Sequence, residues 1–126
     1  MRIIIAGSRN YDDYETLERI CNEVIEKLDI DKSKIVINCG KATGADTLGE
    51  QFAREYGLAI HYYKADWKLY GHCAGPIRNK EMAENGDVLI AFPLGDSKGT
   101  LNMVKEAMKL KLKVYVYEKD KLLESK

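Results

Sequence analysis

The stretch that decides the fold of this 126-residue chain is ADWKLYGHCAGPIRNKEMAENGDVLIAFPLGDSKGT, residues 65–100. Its apolar run at residues 87–92 predicts a strand buried on both faces. The loop after that strand, residues 93–100, opens onto a helix and offers free backbone N–H groups to a phosphate. Arg78 is predicted in the first turn of the preceding helix, where a cation opposes the helix dipole unless an anion lies beside it. Together these features predict a pocket for a negatively charged small molecule.

Apolar runs and helical periodicities alternate on both sides of this stretch. They predict strands over residues 3–6, 35–39, 58–63, 87–92 and 114–117, and helices over residues 14–28, 43–56, 76–84 and 98–111. Thr43-Gly44-Ala45-Asp46 resembles a capping box with aspartate in place of glutamate. The alternation predicts an α/β fold, a Rossmann-like doubly wound parallel sheet of about five strands with helices on both faces. We expect one domain over residues 1–118 and a polar C-terminal tail over residues 119–126.

Composition argues against several classes of protein. Lysine plus arginine and aspartate plus glutamate number 20 each, so the chain lacks the overall basic field that nucleic-acid-binding proteins use. No apolar run approaches the ~20 residues that span a bilayer, and the run after Met1 is too short for a signal peptide. We therefore expect a cytoplasmic protein with no membrane partner, and nucleic acid is a disfavoured partner.

The cysteines, Cys21, Cys39 and Cys73, show no C-x-x-C spacing. Their number and spacing argue against a disulfide framework and against a structural zinc site. His72 precedes Cys73, but adjacent side chains rarely converge on one ligand. We expect no metal and no cofactor.

Four loops are predicted to follow the carboxyl ends of the strands, at residues 7–10, 40–46, 64–75 and 93–100. In a doubly wound sheet, ligands bind beyond these ends, at the point where the strand order reverses. The same loops hold most of the glycines and the least ordinary side chains of the chain. The pattern and the topology therefore predict the same place for a binding site.

These loops also carry a resemblance to the SLOG superfamily, named for the Smf/DprA and LOG (lonely guy) proteins. The matching pieces are, in order, Ala6-Gly7-Ser8-Arg9, Gly40…Gly44-Ala45-Asp46, Ala65-Asp66-Trp67…Tyr70-Gly71, Ala74-Gly75-Pro76…Arg78-Asn79…Met82 and Gly99-Thr100. Their order and spacing are similar to those of the small single-domain branch called YspA/cpYpsA-related, over residues 2 to about 117. The resemblance implies a Rossmann-like fold, binding of nucleotides or nucleotide-derived ligands, and association as a homodimer or larger homo-oligomer.

The LOG branch of the superfamily hydrolyses the N-glycosidic bond of cytokinin nucleoside monophosphates. It carries an Arg-Lys pair and then Pro-Gly-Gly-x-Gly-Thr-x-x-Glu, with the arginine and the glutamate catalytic. Alignment on Gly99-Thr100 places Arg78 at the arginine, Asn79 at the lysine and Met103 at the glutamate. The general acid/base that glycoside chemistry needs is absent from its expected place, which counts against a LOG-type enzyme.

The predicted ligand-binding residues lie in the four loops or at the helix starts that follow them: Gly7, Ser8, Arg9, Gly40, Gly44, Asp46, Trp67, Gly75, Arg78, Asn79, Gly95, Ser97, Gly99 and Thr100. The candidate catalytic residues are Arg78 and Asp66. Several have a structural alternative. Asp46 either holds a ribose hydroxyl or only begins its helix, Ser97 either contributes its hydroxyl or only caps, and Trp67 either stacks on a base or pins its loop.

The leading hypothesis is a protein that binds a nucleotide-like small molecule, as a sensor or a ligand-processing protein, with phosphate on residues 95–100 and Arg78. The alternative is an N-glycosidase or phosphoribohydrolase-like hydrolase of nucleoside monophosphates or NAD-like substrates, using Asp66 or Glu81 in place of the LOG glutamate. A DNA-processing accessory role, by analogy with the Smf/DprA branch, is a third hypothesis, and the neutral charge weighs against it.

Overall fold

The structure is a computed structural model that describes residues 1–118 and 121–125. In this part of the chain the elements follow in the order β1 (Arg2–Gly7), α1 (Tyr14–Lys27), β2 (Val36–Cys39), α2 (Ala45–Glu55), β3 (Ala59–Tyr62), α3 (Trp67–Tyr70), α4 (Ala74–Glu84), β4 (Val88–Phe92), α5 (Lys98–Lys109), β5 (Lys113–Glu118) and β6 (Lys121–Ser125). Short 3₁₀ turns cover Lys32–Lys34 and Gly71–Cys73. None of these helices has the length and apolar character needed to cross a bilayer.

The strands form one sheet in the order β3-β2-β1-β4-β5-β6, parallel except for β6. At its centre β1 pairs with β4 from Ile3↔Val88 to Gly7↔Phe92. The chain moves outward from β1 to β3, crosses back to β4, and then moves outward on the other side. The strand order therefore reverses between β1 and β4, and the predicted Rossmann-like α/β fold is confirmed.

Alternate residues of the central strands point to opposite faces of the sheet. In β1, Ile3 and Ile5 pack in the cluster that includes α1 and α2, whereas Ile4 and Ala6 pack in the cluster that includes α4 and α5. Helix α2 approaches the sheet closely, since a Cβ on Gly49 would lie 2.9 Å from Cβ of Ile5. Helices thus cover both faces of the central strands, as the apolar runs predict.

The C-terminal end of the chain differs from the prediction. Residues 121–125 lie in the segment predicted as a polar tail, yet they form β6, which pairs antiparallel with β5. Without β6, β5 would be an edge strand with unpaired N–H and C=O groups, and a short returning strand satisfies them. The sheet therefore has six described strands where about five were predicted. Residues 119, 120 and 126 of the predicted tail lie outside the described part.

The opposite edge strand, β3, is less covered than its apolar sequence predicted. Ala59, His61 and Tyr62 are exposed, and Ile60 is half-buried. This strand pairs only with β2 in the sheet order, so it lies beyond the helices that cover the centre. The helices that cover both faces of the central strands therefore leave β3 largely exposed.

Helix α4 begins at Ala74, two residues earlier than predicted. The 3₁₀ turn at Gly71–Cys73 runs directly into it, so Pro76 is the third helical residue rather than the first. Arg78 consequently lies in the second turn, where the helix dipole acts less strongly than in the first.

Helix α2 is not capped as predicted. Gly44 is its N-cap, with φ 74 and ψ −126, and no side chain caps the helix. The carboxylate of Asp46 instead accepts the N–H of Ala42 at 3.2 Å, outside the helix. The capping-box prediction for Thr43 is therefore wrong, because a backbone in this glycine region replaces the extended conformation that a capping threonine takes.

Candidate functional site

Ser8 joins three of the four predicted loops. Its carbonyl accepts the N–H groups of Tyr11 at 3.1 Å and Ala45 at 3.2 Å, and its N–H donates to the carbonyl of Phe92 at 3.2 Å. Its hydroxyl accepts the N–H of Leu94 at 2.6 Å. The loops after β1, β2 and β4 therefore meet at one buried serine, whose hydroxyl already has a partner within the protein.

Two glycines permit this close approach. A Cβ on Gly44 would lie 2.2 Å from the carbonyl oxygen of Ser8, and a Cβ on Gly7 would lie 2.5 Å from that of Phe92. The φ of 74 at Gly44 is also one that residues with a side chain rarely adopt. Both glycines bring the loops together at the carboxyl ends of β1 and β4.

A cavity of about 560 Å³, which we call the central cavity, opens at these strand ends. All four predicted loops contribute to its wall. The predicted site residues that line it are Gly7, Ser8, Arg9, Asp46, Trp67, Gly75, Arg78, Asn79, Ser97, Gly99 and Thr100. Those that do not line it are Gly40, Gly44, Asp66 and Gly95.

Arg78 projects from α4 towards the loop after β2. Its Nη1 donates to the carbonyl of Gly40, and its Nε donates to Oδ1 of Asn79 at 2.9 Å. Burial lowers the pKa of the guanidinium, and the nearby carboxylate of Asp46 opposes that change. Within the described part of the chain, no direct ion pair joins Arg78 to an acid. A half-buried cation of this kind, with N–H groups left over, is suited to a bound anion.

Gly40 and Asn79 position this arginine. A Cβ on Gly40 would lie 2.7 Å from Oδ2 of Asp46 and 3.0 Å from Nη1 of Arg78, so a side chain here would displace both groups. Asn79 is buried, and its Nδ2 donates to Oδ1 of Asn102 at 2.9 Å and to the carbonyl of Gly99 at 3.3 Å. The asparagine therefore ties α4 to α5 and fixes the guanidinium at the same time.

Asp46 is a buried carboxyl group in the wall of the central cavity. Burial raises its pKa to about 6, although the N–H of Ala42 and the cations Arg78 and Arg9 each act to lower it. An acid with a pKa in this range exchanges a proton readily near neutral pH. It is the carboxyl group that the structure places beside the arginine.

The first turn of α5 opens onto the central cavity. The hydroxyls of Ser97 and Thr100 lie 2.6 Å apart and bond to each other, and the Ser97 side chain does not cap the helix. A Cβ on Gly99 would meet nothing within 4 Å. The N–H groups of this turn have no acceptor within the helix, so they are available to an anion.

The long connection between β3 and α4 contributes Trp67 but not Asp66. The Trp67 side chain lines the central cavity, and the residue is 51% exposed, so one part of the ring remains free. The carboxylate of Asp66 accepts the N–H of Leu69 at 3.1 Å and caps α3. Asp66, a candidate catalytic residue, therefore lies outside the cavity wall.

A second cavity of about 630 Å³ lies beside the first, and we call it the basic cavity. Its wall includes four cations and no carboxylate: Arg9, Lys41, Lys64 and Arg78. Arg9, Ala42, Trp67 and Arg78 line both cavities, so the two share a wall.

Lys64 is one of the lining residues that the predicted site residues do not include. It is the second residue after β3, as Arg9 is the second residue after β1, so its place near a carboxyl strand end was the available signal. Met103, which stands at the LOG glutamate position, is buried and lines the central cavity with an apolar side chain. The acids of the wall are Asp46 on α2 and Asp96 in the loop before α5, and neither stands at the LOG glutamate position.

The fold and the cavity define a Rossmann-like domain with an anion-compatible cavity at its topological switch point. The sequence profile of the YspA, cpYpsA-related SLOG family matches residues 1–70. The chain is 36% identical over 114 residues to the Gene 61 protein of Mycobacterium phage D29, covering 86% of this chain and 89% of that protein. The chain therefore belongs to the YspA, cpYpsA-related SLOG family.

Solved structures with the same fold show low sequence identity to this chain. DNA processing protein A (DprA) from Streptococcus pneumoniae superposes with a TM-score of 0.69 at 19% identity, covering 91% of this chain and 49% of that one. TM1055 superposes with a TM-score of 0.61 at 20% identity, covering 90% of this chain and 71% of that one. This chain spans about half the length of DprA, and these likenesses concern the fold.

Proposed function

We propose that this protein binds a nucleotide or a nucleotide-derived small molecule in the central cavity. The observation that carries the proposal is the pairing of two cations, Arg9 and Arg78, with the uncapped first turn of α5 around one cavity. A phosphate on those N–H groups gains both hydrogen bonds and the favourable end of the helix dipole. Family membership supports the same kind of ligand.

The base and the ribose have places in the same cavity. The half-exposed ring of Trp67 offers a face on which a base stacks. Asp46, when ionised, accepts a ribose hydroxyl, and its burial strengthens such a hydrogen bond. The proposed ligand thus has its anionic end at α5 and its sugar towards α2.

Calorimetric titration with a panel of nucleoside 5′-monophosphates tests the proposal, with the emission of Trp67, the single tryptophan, as a second signal. We expect binding by at least one member and at least about tenfold weaker binding by Arg78→Gln, the scale of a lost charge-assisted contact. Lys80→Gln is the matched control, because Lys80 is exposed on the same helix and lines neither cavity. No heat and no change in emission across the panel, in the wild type, would refute the proposal.

A hydrolase that cleaves an N-glycosidic bond is the second candidate. Asp46 favours it, because this buried acid has a pKa of about 6 and lines the cavity with Arg78. Chromatography of nucleoside monophosphates and NAD after incubation would reveal released base. Asp46→Asn should then abolish release while the ligand still binds, and Asp66→Asn should retain it. A ligand that binds and is never cleaved would leave only the binding function.

A further inference from the structure

A ligand with a single phosphate on the first turn of α5 would leave the basic cavity empty. The first turn of α5 contributes to the central cavity and not to the basic one, whereas Lys41 and Lys64 contribute to the basic cavity and not to the central one. Arg9 and Arg78 lie in the wall common to both. Each cavity therefore has cations of its own or free N–H groups, in addition to the two arginines that both cavities share.

The cations of the basic cavity differ in how far they are already neutralised. Lys41 pairs with Glu50 at 3.1 Å and lies over the ring of Tyr62, with 4.8 Å between its Nζ and the ring centroid. Arg9 and Lys64 are exposed, and neither has an ion pair or hydrogen bond within residues 1–118 and 121–125. Arg9 and Lys64 beside the half-buried Arg78 leave this cavity with an excess of positive charge, which Asp46 in the neighbouring central cavity offsets only in part.

We propose that the ligand is a nucleotide with two separated phosphate groups, one on the first turn of α5 and the other in the basic cavity on Lys64 and Arg9. This inference rests on the proposed nucleotide-binding function and adds the ligand's class, a nucleoside bisphosphate. The shared wall places Arg78 between the two phosphates, where one guanidinium serves both through its planar set of donors. The ribose then lies between the two phosphates, beside Arg78, and the base lies against Trp67.

The test compares adenosine 5′-monophosphate with adenosine 3′,5′-bisphosphate by calorimetry, on the wild-type chain and on Lys64→Gln. We expect the wild type to bind the bisphosphate at least about tenfold more tightly than the monophosphate. In Lys64→Gln that ratio should fall towards one, and in the control Lys80→Gln it should persist. Added salt should reduce the ratio in the wild type, because exposed cations supply the gain.

Each other outcome overturns the inference in a recognisable way. Equal affinity for the two nucleotides would refute the second phosphate site and leave the proposed function standing. A ratio unchanged in Lys64→Gln would refute the assignment to the basic cavity. Binding of neither nucleotide would refute the proposed function for adenosine ligands as well. A single-stranded oligoadenylate that binds more tightly than the bisphosphate would identify a nucleic-acid backbone as the occupant.

Discussion

Replacing Asp46 with asparagine tests the electrostatics of the site without any ligand. The folded-state pKa of this carboxyl group, about 6, lies above its ordinary value of 3.8 because the group is buried. Each power of ten in an ionisation constant is worth about 1.4 kcal/mol, so the difference corresponds to about 3 kcal/mol. Asparagine keeps an oxygen for the N–H of Ala42 but has no charge to desolvate.

The sign of the pH dependence follows from the raised pKa. The folded protein holds this proton more tightly than the unfolded chain, so the stability from Asp46 is complete below about pH 3.8. It is lost as the pH rises through about 6, because the folded protein must then accommodate a buried charge. The Asp46→Asn variant does not lose stability in this way, because asparagine does not ionise. The free energy of unfolding of Asp46→Asn, minus that of the wild type, should therefore increase by about 3 kcal/mol between those two pH values.

Urea denaturation followed by far-ultraviolet circular dichroism, at several pH values between about 4 and about 8, measures this difference. Taking variant minus wild type cancels the titration of the other groups. The denaturant slopes of the two proteins should agree, which shows that the substitution leaves the unfolding transition alone. A difference that stays constant with pH, or that decreases, would refute the desolvated Asp46 on which the electrostatic description rests.

Four further substitutions follow from the same geometry. Arg78→Gln should move the pH dependence attributed to Asp46 to higher pH, since Arg78 lowers the pKa of that acid; a move to lower pH contradicts the arrangement. Gly95→Ala should lower the free energy of unfolding by about 1–2 kcal/mol because of its φ of 57, although a Cβ there would meet no other atom within 4 Å. Gly44→Ala should lower it further, because a Cβ there would also meet the Ser8 carbonyl. Urea unfolding measures both effects. Asn79→Ala should destabilise by about 2 kcal/mol in thermal unfolding and also weaken nucleotide binding in calorimetry, since it loses the α4–α5 link and the partner of Arg78; loss of stability alone would refute its positioning role.

The central strands and helices were predictable because apolar runs and helical periodicities alternate along the sequence. Ile3, Ile4 and Ile5 are all apolar, and such a run fits a strand covered on both faces, as β1 is. The sixth strand was not predictable in the same way, because residues 121–125 gain their order from the free edge of β5 and not from their own pattern. The exposure of β3 was not predictable for a related reason, since the sequence does not show which strand lies at the edge.

The place of the candidate site was also predictable, because strand ends and glycine loops occur together. The contacts that the site residues make within the protein were not predictable. Arg78 donates to a carbonyl 38 residues earlier in the chain, at Gly40, and that contact exists only once α4 packs over the loop after β2. The raised pKa of Asp46 was unpredictable for the same reason, because the residues that bury its carboxyl group surround it only in the folded chain. Asp66 has a conspicuous carboxylate in sequence but caps its own helix in the structure.

The reversal of strand order has a mechanical consequence. Arg9 and Asp46 come from the part of the chain before the crossing from β3 to β4, and the first turn of α5 comes after it. The proposed ligand would contact both parts and so connect the two sides of the junction between β1 and β4. Occupancy of the proposed site would then stiffen the middle of the sheet.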